Sequence, residues 1–290
     1  MKKIIVLGGS GFVGNSLLNK LESKKFKIKV LLHSSKFKNK YKKFNGNILK
    51  KKTFENQIKN NDIIVNLIGQ YSGDFSNFID LNIKGGLNLL ESCKGKKNIK
   101  IILISSVNVY GENLYHGSKE NDKPLPANNY GLIKLLTEKM YENFANTHGL
   151  NVVVLRLGNL YGPNKKNGLI LNILKAIEKN HTVSINHNGH QQRDYLFIED
   201  AIEGIIKAIQ SNLKKFNVIN ISSGRRYRTS YIIKLIQEIS QKKLQYKINN
   251  TTPDEKCIWA NNFKAKRVLK FEPKTSIKEG LGLTFKNLKK

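Results

Sequence analysis

Residues 4–21 constrain this chain more than any other stretch. Ile4, Ile5, Val6 and Leu7 form a short apolar run that reads as a buried strand. It breaks into Gly8-Gly9-Ser10-Gly11-Phe12-Val13-Gly14. From Asn15 to Leu21, Leu17, Leu18 and Leu21 recur at helical spacing. Strand, glycine turn and helix in that order predict a cradle for a pyrophosphate. Gly8 permits the tight turn, Gly11 lets backbone approach the phosphates, and Gly14 lets the helix pack close to the strand. Phe12 and Val13 lie within the cradle, where free helical N–H groups and the positive end of the helix dipole hold an anion. A glycine-rich turn with no ligand is the plain alternative, and the rest of the chain decides between them.

Strands and helices then alternate. Residues 27–33, 46–49 and 62–69 read as strands, with a short helix near 53–60. A helix from Phe75 to Cys93 leads to a strand from Ile99 to Ile104, which runs into Ser105-Ser106-Val107-Asn108-Val109-Tyr110-Gly111. Residues 112–129, with Pro124 and Pro126, form a loop before a helix from Tyr130 to Thr147 and a strand from Asn151 to Leu157. This alternation predicts an α/β fold with a Rossmann-type, doubly wound parallel sheet, its strand C-terminal ends on one ligand-binding edge. Beyond Pro163 the texture changes. A helix at 168–179, a strand at 182–185, a turn at Asn188-Gly189, a helix from Glu199 to Gln210, a strand at 218–221 and a helix at 229–240 follow. Ser276 and Glu279 form a capping-box pattern before a last helix. The expected division places the dinucleotide on residues 1–163 and 196–221, and a smaller C-terminal substrate-binding lobe on 164–195 and 222–290.

Composition excludes several classes. No apolar run approaches the ~20 residues of a membrane helix, and glycines interrupt the N-terminal one where a signal peptide would continue, so a cytoplasmic protein without a membrane span is expected. Cys93 and Cys257 have neither metal spacing nor a disulfide framework, and no metal is expected. The net charge of +30 invites a nucleic-acid partner. The excess is lysine, spread along the whole chain with abundant Asn and Ile, and only Arg156, Arg193, Arg225, Arg226, Arg228 and Arg267 are arginines. Base readout favours bidentate Arg, so no specific nucleic-acid binding is expected. The dense run from Lys36 to Lys52 reads as a solvated face.

At the end of the second strand an acid would hydrogen-bond the ribose 2′-hydroxyl of NAD. His33-Ser34-Ser35-Lys36 stands there instead. Hydroxyls and cations suit a 2′-phosphate, so NAD(P) is expected with a tilt toward NADP(H), contacted by His33, Ser34 and Lys36. Asn47, Leu67 and Gly69 complete the cofactor side. Tyr130 and Lys134 are four apart and share one helix face.

Glycine turn, Ser105-Ser106, Tyr130 with Lys134, and Arg193-Asp194-Tyr195 together resemble the extended short-chain dehydrogenase/reductase family, in its NAD-dependent epimerase/dehydratase branch acting on nucleotide sugars. The resemblance covers nearly the whole chain. It includes Asn82 in Asp-Leu-Asn-Ile-Lys-Gly, Asn159-Leu-Tyr-Gly-Pro163, Ile198-Glu-Asp200 and Phe271-Glu-Pro273. It implies Ser106, Tyr130 and Lys134 as catalytic residues. Tyr130 exchanges a proton with the substrate oxygen while hydride moves to or from the nicotinamide. Lys134 lowers the tyrosine pKa and, with Tyr130, contacts the cofactor, and Ser106 bonds the reacting oxygen. Asn159 and Arg193 are implied to face a nucleoside-diphosphate sugar, as a guanidinium suits a diphosphate. An Arg193–Asp194 ion pair anchoring a loop is compatible with that role. A homodimer through the helices at 75–93 and 130–147 is also implied.

Departures narrow the activity. Leu7 replaces a threonine, and Ser106-Val107-Asn108 lacks the Thr-Asp-Glu of sugar-nucleotide dehydratases. Thr251-Thr-Pro-Asp254 stands where many relatives place an arginine, so one diphosphate contact is missing or comes from a lysine such as Lys256. A 4-epimerase and a 4-ketoreductase remain, tilted toward the reductase by the missing acid and the short segment between Gly69 and Asn82. A non-catalytic dinucleotide-binding protein, such as a redox sensor or assembly subunit, is the alternative from another class.

Overall fold

In the computed structural model, which describes residues 3–21, 26–33, 41–69, 74–113, 116–186, 189–249 and 257–289, the N-terminal apolar run becomes an interior strand of a seven-stranded sheet. Its strands are β1 (Lys3–Leu7), β2 (Lys27–Leu32), β3 (Lys42–Asn45), β4 (Ile63–Asn66), β5 (Lys100–Ser106), β6 (Asn151–Leu157) and, after four short strands, β11 (Phe216–Ile221). Those four are β7 (Asn159–Tyr161), β8 (Val183–Asn186), β9 (Gln192–Arg193) and β10 (Tyr195–Phe197); β12 (Tyr227–Arg228), β13 (Tyr246–Asn249) and β14 (Cys257–Ile258) follow β11. The helices are α1 (Phe12–Leu21), α2 (Phe75–Ile79), α3 (Gly85–Cys93), α4 (Asn129–His148), α5 (Leu169–Lys179), α6 (Ile198–Gln210), α7 (Thr229–Ser240), α8 (Phe263–Leu269) and α9 (Ile277–Leu288).

Across the sheet the order is β11-β6-β5-β4-β1-β2-β3, and every neighbouring pair is parallel. All C-terminal strand ends therefore reach one edge. The winding reverses between β1 and β4, where the N–H of Leu67 donates to Leu7 O at 3.0 Å. In such sheets the crevice outside this reversal is where ligands bind. Alternate residues of each strand serve two cores. Ile4, Val6, Val153 and Leu155 pack with α1 and α6, while Ile5, Leu7, Val152 and Val154 pack with α3 and α4. Two-sided burial explains why these strands read as continuous apolar runs. Smaller sheets, β7 with β10, β9 between β12 and β14, and β8 with β13, are built from residues 159–258.

Several local expectations are corrected. The third strand is Lys42–Asn45, not 46–49. Asn47 instead opens a turn: its Oδ1 accepts the Leu49 N–H at 2.9 Å, and its own N–H donates to Thr53 Oγ1 at 2.9 Å. Such side-chain bonds compete with a ladder. The lysine-rich run thus supplies an edge strand, where charge blunts further pairing. The short helix at 53–60 is two single 3₁₀ turns, Lys51–Thr53 and Glu55–Gln57. The helix expected over 75–93 is split into α2 and α3 by a π-helical turn at Asp80–Lys84. Strand β7 was not expected; it exists because Tyr195–Phe197 pairs beside it. The capping pattern at Ser276 forms, its Oγ accepting the Glu279 N–H at 3.2 Å.

Among the described residues no helix is long and apolar enough to cross a membrane, and no cluster of three or more His, Cys, Asp and Glu is placed to hold a metal. Both cysteines are buried, and burial pushes the Cys93 thiol up to about 12.

Candidate active site

The glycine turn is as tight as its composition demands. Gly8 has φ +81°, a left-handed value that favours glycine. At Gly14 a Cβ would lie 2.3 Å from Gly8 O and 2.6 Å from Gly9 Cα, so this glycine closes the helix onto the turn itself rather than onto the strand. Helix α1 begins at Phe12, three residues earlier than its apolar spacing indicated. Its first-turn N–H groups, from Phe12, Val13 and Gly14, have no intrahelical acceptor. A cradle that a side chain would fill, ending in a bare helix start at the strand edge, fits a dinucleotide pyrophosphate.

The end of β4 closes the other side. Asn66 donates to Tyr141 Oη at 3.0 Å and accepts the Ile68 N–H at 3.1 Å, bending the chain to Gly69, whose φ is +108°. A Cβ on Gly69 would meet Asn82 Oδ1 at 2.3 Å. His33 follows β2 and is exposed; Ser34, Lys36, Thr251–Asp254 and Lys256 lie outside the described residues. Asn47 sits in its own turn, with its side-chain oxygen occupied.

Helix α4 carries the candidate catalytic pair. Asn128 caps it by accepting the Gly131 N–H at 2.8 Å, and Gly149 at φ +66° ends it. Gly131 permits its approach to the β5 exit, since a Cβ there would stand 2.4 Å from Asn108 O. The inward face of α4 is unusual in burying Lys134, Thr137 and Glu138 alongside Ile133, Tyr141 and Ala145. Ser106, at the end of β5, hydrogen-bonds the Tyr130 hydroxyl and accepts the Asn108 N–H at 3.2 Å. Phe78 stacks on the Tyr130 ring, centroids 5.5 Å apart. Lys134 Nζ donates to Asn82 Oδ1 at 3.0 Å and to Ile104 O at 3.4 Å. The π turn positions Asn82 for this, and Asn82 Nδ2 bonds Phe78 O at 2.8 Å.

The two serines divide their work. Ser106 faces Tyr130, while Ser105 donates to Glu138. Glu138 also takes Arg156 through Nε at 3.1 Å and Nη2 at 2.6 Å. Glu138, four residues after Lys134, thus brackets α4 to the ends of β5 and β6. Spacing alone could have pointed to it, because residues 130, 134 and 138 share a face.

Electrostatics correct one expectation. The tyrosine pKa is raised, not lowered: burial outweighs the Ser106 hydrogen bond, and the Lys134 ammonium is directed to Asn82 and Ile104. Lys134 itself is pushed down to about 8 by burial, opposed by the charge of Glu138. A neutral phenol held by a serine, with a readily deprotonated lysine one turn away, can give or take a proton at an oxygen placed between Ser106 and Tyr130.

Asn159 and Arg193 come together beyond the strand edge. They line a cavity of about 230 Å³ with Lys165, Gln191, Tyr195 and the first turn of α5. Asn159 Nδ2 and Gln191 Nε2 are buried there without partners. Among the described residues none of the lining side chains is acidic. Unpaired buried donors and an uncapped helix start are chemically suited to an anion. Asp194 does not turn to Arg193. Its carboxylate accepts the N–H groups of Ser223 at 2.8 Å and Gly224 at 3.2 Å, and Arg193 Nη1 donates to Gln192 O at 3.0 Å. Gln191 and Lys165 were not singled out in the sequence, where they read as ordinary polar loop residues.

The chain is 28% identical over 304 residues to the uncharacterized UDP-glucose epimerase YtcB of Bacillus subtilis, covering 96% of this chain and 95% of that protein. Its fold matches the UDP-glucose 4-epimerase of Thermotoga maritima, solved with UDP-glucose, at a TM-score of 0.88 and 28% identity, over 99% of this chain and 98% of that one. It also matches the UDP-glucuronic acid 4-epimerase of Bacillus cereus, solved with UDP-glucuronic acid and NAD, at a TM-score of 0.88 and 25% identity over 99% of both. The model of the NAD dependent epimerase/dehydratase family matches residues 4–222, from the first strand to the end of the sheet's last, and the chain belongs to that family.

Proposed function

We propose that this protein is an NAD(P)-dependent nucleotide-sugar 4-epimerase that moves hydride at a carbinol or keto carbon. Ser106 and Tyr130 hold the reacting oxygen, and Tyr130 exchanges its proton. Lys134 faces the nicotinamide ribose. Gly8, Gly11, Phe12, Val13 and Gly14 carry the pyrophosphate, while Asn159, from the dinucleotide-binding part, and Arg193, from the lobe of residues 164–195 and 222–290, bind the sugar nucleotide. When bound, the nicotinamide accepts and returns the hydride. The observation that carries the proposal is the Ser106–Tyr130 hydrogen bond beside the Lys134–Asn82 pair, at the same sheet edge as the glycine turn. A mere dinucleotide binder has no use for that set. The substrate class is drawn from the relatives, two of which are solved with UDP-glucose or UDP-glucuronic acid.

Tyr130→Phe tests this. Epimerisation of a UDP-hexose should fall by about 10²–10⁴-fold while nucleotide binding persists. Undiminished turnover would remove Tyr130 from the chemistry.

A 4-ketoreductase using NADPH is the second reading, favoured by the absence of any acid among residues 33–36. Reversible binding of NADPH in preference to NADH would support it, and stoichiometric NAD in the purified protein would sink it. The protein is also proposed to pair with a second copy through α3 and α4, where Leu87, Leu132 and Leu136 are exposed. Light scattering of the Leu132→Lys, Leu136→Lys variant should then report a monomer where the parent is a dimer.

A further inference from the structure

A diphosphate in a closed site needs donors on more than one side, and it needs carboxylates kept away. Lys165 supplies such a donor in the cavity that holds Asn159 and Arg193, and among the described residues no acidic side chain lines its wall. It lies in the loop between β7 and α5. Its Nζ donates to Leu160 O at 2.7 Å and stands 5.4 Å from the centroid of the Phe12 ring. One of its three ammonium N–H groups is used by that carbonyl. Leu160 directly follows Asn159, whose Nδ2 is buried without a partner. At Gly168, with φ +117°, a Cβ would lie 3.1 Å from Lys165 Cε, so the glycine leaves room for the lysine stem against the cavity wall. Among the described residues no carboxylate pairs with this lysine. Burial lowers its pKa below the ordinary lysine value, a cost that a bound anion would offset.

We propose that Lys165 is the second cation, beside Arg193, for the diphosphate of the bound sugar nucleotide. This rests on the nucleotide-sugar function proposed above. The ammonium is held between a backbone carbonyl of the substrate cavity and the first aromatic residue of the glycine turn. Its remaining N–H groups serve the phosphates, and the Phe12 ring holds it in place from the cofactor side. Lys165 is thus a substrate-binding residue that acts on affinity rather than on the proton or hydride step.

The purified protein with its dinucleotide is titrated with UDP and with uridine, in parent, Lys165→Met and Lys165→Arg forms. Lys165→Met should weaken UDP by about tenfold or more, the value of a charge-assisted hydrogen bond. Uridine affinity, dinucleotide content and the circular dichroism spectrum should stay unchanged. Lys165→Arg should recover most of the loss, and the KM for the sugar nucleotide should rise in Lys165→Met with kcat nearly constant. Equal UDP affinity in parent and Lys165→Met would overturn the assignment. So would a loss confined to dinucleotide binding, which would give the ammonium to the cofactor's pyrophosphate. Failure of the parent itself to bind UDP would overturn the nucleotide-sugar function, and this assignment with it.

Discussion

The ammonium of Lys134 and the side-chain oxygen of Asn82 lie 3.0 Å apart, joining α4 to a π-helical turn 52 residues earlier in the chain. That bond sets where the lysine sits behind Tyr130. Asn82→Ala leaves Lys134 with Ile104 O alone and opens space against Gly69. Turnover should fall roughly tenfold to a hundredfold, as expected for a buried charged donor losing a partner worth about 1–3 kcal/mol. Dinucleotide content should be retained, and steady-state kinetics alongside cofactor extraction checks both. An unchanged kcat would show that Asn82 has no part in holding Lys134 for the reaction.

Gly131 separates tolerance from necessity among helical glycines. Gly131→Ala would push a methyl to 2.4 Å from Asn108 O, a backbone atom next to the Ser106 turn. A loss of about 1–3 kcal/mol is expected from overpacking, with turnover falling further as Ser106 and Tyr130 separate. Gly282, in α9, has nothing within 4 Å of its Cβ position. Gly282→Ala should be neutral or stabilise by up to about 1 kcal/mol. Urea unfolding of the two variants makes the comparison.

Asp194 should give stability a pH dependence of unusual sign. Burial lifts its carboxyl from the ordinary 3.8 to about 6, against hydrogen bonds from Ser223 and Gly224 that pull it down. Between those values the unfolded chain has released a proton that the folded protein keeps. The contribution of this group therefore falls as pH rises from about 4 to about 6, and is level above that. Asp194→Asn should flatten this part of the profile while weakening the Ser223–Gly224 turn, seen as a lower midpoint in thermal unfolding at pH 7. A profile identical in parent and variant would contradict it.

Lys100 caps the end of α6. Its Nζ donates to Ala208 O at 2.6 Å, Ile209 O at 3.2 Å and Ser211 O at 2.6 Å. Lys100→Met should cost about 1–3 kcal/mol of stability and leave kcat unchanged, since the cap is on the sheet edge opposite the active site. Denaturation and kinetics on one preparation distinguish this from a functional role.

The sequence by itself determined the doubly wound sheet, because strands buried on both faces must be apolar throughout and the helices between them must be apolar on one side. It also carried the glycine turn and the placing of Tyr130 and Lys134 one turn apart on one helix, since both depend on residues close together in the chain. Local chemistry misled it where side chains outcompete propensity, as at Asn47, whose hydrogen bonds replace a strand with a turn. Only the tertiary structure decided what depends on distant segments meeting. Asn82 reaches Lys134, Glu138 gathers Ser105 and Arg156, and Lys165 comes to lie over Phe12. The rise of the Tyr130 pKa belongs with these. A lysine four residues away is visible in the sequence, but the burial that raises the tyrosine, against its Ser106 hydrogen bond, comes from the packing of β5, α2 and α4.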